Sequence, residues 1–218
     1  VSRPDLVVFD CDGVLVDTER LTVVVESRVL GQLGWPMTPD EVVERWMGKS
    51  SAAQLADLTE HLGADRARRF DELTTAELHE TFERELTAVE GVEDLVAALH
   101  ASGVATCVAS SGTHDRMRRT LGVTGLRPLF EGRIFSATEV ERGKPAPDLF
   151  LHAARAMAAD PGRCAVVEDS VYGVRAGVAA GMTVYGFAGG LTAESALAEA
   201  GATTFLRMPE LVPVLTRG

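Results

Sequence analysis

Apolar positions along the chain fall into three successive patterns. Leu6-Val7-Val8-Phe9 is an unbroken apolar run that stops at Asp10. Such a run predicts a strand buried on both faces, as in a parallel sheet. From about Thr18 to Leu86 the spacing is helical, with no strand pattern. Thr38-Pro39-Asp40-Glu41 predicts a helix start: a capping threonine, a proline at the first helical position and a glutamate three residues after the cap. Ser50 or Ser51 is expected to cap a helix that runs through Leu55 and Leu58 to Leu62 and stops at Gly63. Asp65 to Leu86 carries Phe70, Leu73, Leu78, Phe82 and Leu86 at roughly helical spacing and predicts one long amphipathic helix.

After Glu90 helix and strand alternate. The expected order is helix Val92 to Ala101, strand Val104 to Ala109, helix His114 to Leu121 and a short strand at Ile134-Phe135. A helix from Pro147-Asp148 to Ala158, strand Ala165 to Val167, helix Val171 to Ala180 and strand Thr183 to Tyr185 follow. That alternation predicts an α/β fold, a Rossmann-like doubly wound parallel sheet. The first strand has no helix-strand partner beside it in sequence. Residues 1–17 and 88–218 are therefore expected to form the α/β core, with residues 18–87 inserted as a helical domain. Two short connections, near Asp17-Thr18 and Ala88-Gly91, are expected to let the insertion hinge.

Ligands of open parallel sheets sit beyond the carboxyl ends of the strands. That rule singles out Asp10 to Asp17, Ser110-Ser111-Gly112, the turn near Lys144 and Glu168-Asp169-Ser170. Asp10, Asp12, Glu168 and Asp169 together make a hard, oxygen-rich donor set suited to Mg²⁺. No cysteine-histidine cluster has zinc spacing. An aspartate beside such an ion can form a covalent phosphoenzyme, with metal and the Lys144 ammonium offsetting repulsion between carboxylate and phosphate. Ser110 and backbone N–H groups nearby, those of Gly13, Ser111 and Gly112, are candidates for the other phosphate oxygens. Asp12 is a candidate general acid and base.

Composition narrows the partners. A formal net charge of −11 argues against nucleic acid or an anionic membrane, both of which need a basic face. It leaves open a small anionic ester, because one metal ion and one lysine reverse the sign locally. Three cysteines and no leader-like apolar run, the early one being broken by Asp10 and Asp12, point to the cytoplasm. A monomer or weak homodimer is expected.

FDCDGVLVD at Phe9 to Asp17, ASSGT at Ala109 to Thr113, GKPAPDLF at Gly143 to Phe150 and VVEDS at Val166 to Ser170 resemble, in order, the four motifs of the haloacid dehalogenase-like (HAD) hydrolases. The resemblance implies Asp10 as nucleophile and metal ligand, and Asp12 as acid/base with its main-chain oxygen on the metal. It implies Ser110 and Lys144 as phosphate binders and Asp169 as a Mg²⁺ ligand supported by Glu168. The helical insertion resembles the cap of the subgroup containing phosphoglycolate phosphatases, beta-phosphoglucomutases and sugar-phosphate phosphatases. The stretch from Glu139 to Gly186 is similar to members acting on sugar-acid phosphates such as 6-phosphogluconate.

Choice of alcohol falls to cap residues, for which Glu19, Arg20, Arg45 and Lys49 are the polar candidates. A beta-phosphoglucomutase reading is the alternative. Such mutases carry a histidine where this chain has Thr22 and a cap arginine where it has Ser51, so hydrolysis is favoured. Dehalogenases of the family lack the second aspartate and the metal carboxylates. A non-catalytic, receiver-like phospho-binding module leaves the helical insertion unexplained.

Overall fold

The computed structural model describes residues 3–46 and 51–217. The chain divides into two compact units, one of Val1–Asp17 with Thr87–Gly218 and one of Thr18–Leu86.

In the first unit six strands form one parallel sheet: β1 (Leu6–Phe9), β2 (Ala105–Ser110), β3 (Ile134–Ser136), β4 (Cys164–Glu168), β5 (Thr183–Phe187) and β6 (Thr203–Phe205). Their order is β3-β2-β1-β4-β5-β6, and this α/β, Rossmann-like arrangement is the expected fold class. The strand that stands alone in sequence is central in space. Leu6 to Phe9 pairs with Ala105 to Val108 on one side and with Cys164 to Val167 on the other. All four of its residues are therefore buried, which is why the run is apolar without alternation.

Helices α5 (Val92–Ala101), α6 (His114–Val123), α7 (Asp148–Ala156), α8 (Val171–Ala179), α9 (Glu194–Glu199) and α10 (Val212–Thr216) accompany the strands. Leu6 and Val8 pack in one core with Leu149 and Phe150 of α7 and Val174 and Ala176 of α8. Phe9, alternating to the opposite face, meets Phe130 edge-on with centroids 6.1 Å apart. The chain leaves β1 and later returns along adjacent paths. Asp17 N donates to Thr87 O and Val89 N to Leu15 O, each at 3.0 Å.

The second unit holds α1 (Thr18–Gln32), α2 (Pro39–Trp46), α3 (Ser51–Leu62) and α4 (Ala64–Glu85). The capping box read at Thr38 is present: Thr38 N donates to Glu41 Oε2 at 2.7 Å and Glu41 N to Thr38 Oγ1 at 3.2 Å. Trp46 meets Phe70 edge-on at 6.0 Å and donates from Nε1 to Asp57 at 2.7 Å. Arg45 grips the same carboxylate with two bonds of 2.6 and 2.8 Å, and its guanidinium lies 4.9 Å from the Trp35 ring centroid. Those hydrogen bonds, with Arg45 the larger cause, hold Asp57 down at about 2. Among the described residues no helix is long and apolar enough to cross a membrane.

Two local features differ from the sequence reading. The helix expected to reach Ala158 ends at Ala156, where Ala158 turns the chain with a left-handed φ of 53°. Beyond Tyr185 the structure adds α9, β6 and α10, elements of six, three and five residues, too short for periodicity to register. The Ser50 cap lies outside the described residues.

Candidate active site

The strand order reverses at β1, with β2 and β3 on one side and β4, β5 and β6 on the other. A crevice at the carboxyl ends is expected at such a switch point, and the polar strand ends converge there. Asp10 follows β1 directly, its N–H donating to Val167 O of β4 at 3.0 Å. Ser110 closes β2, Glu168 closes β4 and Asp169 is the next residue.

Lys144 arrives from the β3–α7 connection and ties the strands together. Its Nζ donates to Asp10 Oδ1 at 2.7 Å, to Ala109 O at 3.2 Å and to Glu168 Oε1 at 2.5 Å. Its side chain is 5% exposed and that of Glu168 is fully buried. Glu168 is held from behind: Oε2 accepts from Asp169 N at 3.1 Å, Ser170 N at 3.0 Å and Ser170 Oγ at 2.9 Å. A side chain at Gly173 would overlap this carboxylate, so glycine there makes the pocket in which Glu168 sits.

Asp12 and Gly13 turn the chain out of β1. Gly13 adopts φ 76°, which favours glycine, and a Cβ there would collide with the Asp169 carboxylate. The loop after β2 is fixed by Gly112 N donating to Ser110 Oγ at 3.1 Å and by Ser136 Oγ donating to Gly112 O at 2.7 Å. Ser111 is exposed at its crest. Thr113 caps α6 through Arg116 N.

Ligand atoms of Asp10, Glu168 and Asp169 lie within 4.8 Å of one another, all three residues buried. Against them stands the ammonium of Lys144. Burial, the largest cause, raises the Asp10 carboxyl against the opposing pull of Lys144, and with Glu168 adding to the rise it stands at about 7. Burial alone would lower Lys144, but the charges of Asp10 and Glu168 outweigh it and keep the ammonium protonated. This concentration of buried negative charge and oxygen donors fits a hard divalent cation. Glu168 already serves Lys144 and three other donors, which leaves Asp10 and Asp169 the better placed to reach such an ion.

Asp10, Asp12, Gly13, Ser110, Ser111, Gly112, Lys144, Glu168 and Asp169 all belong to the first unit and lie at or just beyond its strand ends. Glu19 lies in the first turn of α1 in the second unit, and Lys49 is outside the described residues. Arg45, a candidate for selecting the alcohol, is engaged by Asp57 within its own unit. Sequence reading missed Gly173 and Arg116, whose Nη2 donates to Asp12 Oδ1 at 3.0 Å. The available signals were a glycine inside a helix that begins just after Glu168, and a cation placed at the positive end of α6.

Known proteins resemble this chain along most of its length. The haloacid dehalogenase-like hydrolase family profile matches residues 4–181. The 6-phosphogluconate phosphatase of Escherichia coli K12 is 33% identical over 188 residues, 86% of this chain and 84% of the relative. A phosphorylated carbohydrates phosphatase of Thermotoga maritima is 30% identical over 97% of this chain and 98% of its own. A HAD family hydrolase from Deinococcus radiodurans R1, solved with bound phosphate and sodium, superposes with a TM-score of 0.83 at 32% identity, covering 100% of both chains.

Proposed function

The chain belongs to the haloacid dehalogenase-like hydrolase family, is an enzyme as its phosphatase relatives are, and we propose that it hydrolyses a small phosphate monoester, a sugar or sugar-acid phosphate, through an aspartyl-phosphate on Asp10. The single observation that carries this reading is the buried triangle of Asp10, Lys144 and Glu168 at the sheet's switch point, with Asp169 beside it. The two named phosphatase relatives support the substrate class.

Lys144 steers and neutralises the incoming phosphoryl group while holding Asp10 by its Oδ1. Asp10 attacks phosphorus and the bond to the leaving oxygen breaks. Asp12 protonates that oxygen, then takes a proton from the water that attacks the aspartyl-phosphate. Ser110 and the loop N–H groups of Ser111 and Gly112 bind the remaining phosphoryl oxygens. Asp10, Asp169 and the main chain of Asp12 would hold Mg²⁺, with Glu168 in support through Lys144. When bound, the ion supplies further positive charge against the carboxylate–phosphate repulsion. The three cysteines are buried free thiols, which accords with a reducing cytoplasm.

The test is phosphate release from a panel of sugar and sugar-acid phosphates by the wild type and by Asp10→Asn. The wild type should release phosphate without producing an isomerised sugar, and Asp10→Asn should retain only a trace. Isomerisation of beta-glucose 1-phosphate outrunning phosphate release would replace hydrolase by mutase.

A further inference from the structure

Arg116 stands apart from the groups the proposed reaction uses. It lies in the first turn of α6, where the positive end of the helix dipole disfavours a cation. Its backbone N–H is used in the cap, donating to Thr113 Oγ1 at 3.3 Å, while its side chain turns to Asp12 and reaches Oδ1 at 3.0 Å. The stem passes the phosphate loop: a Cβ on Gly112 would lie 3.5 Å from Arg116 Cδ, 3.6 Å from Ser110 Oγ and 3.7 Å from Asp12 Oδ2. The side chain is nevertheless 42% exposed. It is a guanidinium fixed at the site and still open to solvent, unlike buried Lys144.

Its position relative to the reaction follows from Asp12. A general acid must come within roughly 3 Å of the oxygen it protonates. Arg116 Nη2 is 3.0 Å from the same carboxylate. The guanidinium thus lies on the leaving-group side, within reach of substituents on the alcohol rather than of the transferred phosphoryl group alone. A planar fork of donors matches carboxylate and phosphoryl oxygens with two parallel bonds.

We propose that Arg116 is a specificity-determining residue that binds an anionic group, carboxylate or second phosphoryl, on the leaving alcohol. This rests on the phosphatase reading and deepens it: esters of acidic alcohols are favoured over esters of neutral ones. The Asp12 carboxylate holds the guanidinium in place in the meantime and offsets the cost of a cation at the head of α6.

The experiment compares kcat/KM of the wild type, Arg116→Gln and Arg116→Lys on three esters: 6-phosphogluconate, glucose 1,6-bisphosphate and neutral glucitol 6-phosphate. Arg116→Gln should lower the ratio of charged to neutral substrate by about tenfold to a hundredfold, the range of one lost charge-assisted contact. The change should fall mainly in KM, with Arg116→Lys recovering part of it. Whichever charged ester shows the drop identifies carboxylate or phosphoryl as the recognised group. Equal losses on all three esters, or no loss on any, with an active wild type, would overturn the proposal and leave Arg116 as a prop for Asp12 or a surface charge. A wild type that releases phosphate from no ester would instead remove the phosphatase reading, and this proposal with it.

Discussion

Gly173 has no side chain and no chemistry, yet replacing it with alanine is expected to damage both stability and turnover. The added Cβ would overlap the Glu168 carboxylate, and Glu168 has nowhere to retreat without loosening its bonds to Lys144, Asp169 N and Ser170. Breaking one side of a buried ion pair costs about 3–5 kcal/mol. Alanine in place of a helical glycine returns at most about 1 kcal/mol. The net loss of about 2–4 kcal/mol corresponds to a fall in melting temperature of about 5–15 °C for a protein of this size. Lys144 would shift with its anchor, and a displacement of about 1 Å in such a group costs about a hundredfold in rate. Gly122→Ala is the control: it is also in a helix but meets nothing within 4 Å, so it should stay within about 1 kcal/mol of the wild type. Thermal denaturation by circular dichroism and phosphate-release kinetics read both effects. A Gly173→Ala protein that melts with the wild type and keeps its kcat would refute the claim that this pocket sets the lysine.

Chelation should abolish phosphate release and added Mg²⁺ should restore it, because the donors around Asp10 and Asp169 are all oxygens; full activity in excess EDTA would sink the metal assignment. In the helical unit, Asp57→Asn should cost about 1–2 kcal/mol near pH 6, after allowance for solvent screening of a partly exposed pair. Because the folded Asp57 value of about 2 lies below the ordinary 3.8, this stabilisation is complete above 3.8 and is lost as pH falls toward 2. Urea denaturation of both proteins at several pH values should show the gap narrowing in acid, and a gap that widened there would contradict the ion-pair account.

The catalytic candidates were legible because each follows an apolar strand directly or sits in a motif with fixed spacing. Asp10 interrupts Leu6 to Phe9, and Glu168-Asp169 interrupts Ala165 to Val167. The central place of β1 follows from its unalternating burial, which needs a strand on each side and a layer on each face. Arg116 was not legible as a partner of Asp12, since the two are 104 residues apart and a basic residue on a helix ordinarily reads as a solvated face. The pairing of Arg45 was not legible for the same reason. Its carboxylate partner, Asp57, lies on the next helix, and only the packing of α2 against α3 reveals that the guanidinium is already engaged. Gly173 is the instructive intermediate case: a glycine inside a helix carries a cost that asks for a reason, but the reason is a side chain from the preceding strand.

The central claim is that Asp10 becomes covalently phosphorylated. Rapid quenching of the enzyme during turnover of a ³²P-labelled ester, followed by peptide mapping, tests it directly. Acid-stable label that hydroxylamine removes should appear in the peptide containing Asp10 and be absent from Asp10→Asn. Label on another residue, or steady turnover with no phosphoenzyme detectable even in the first few milliseconds, would contradict the account.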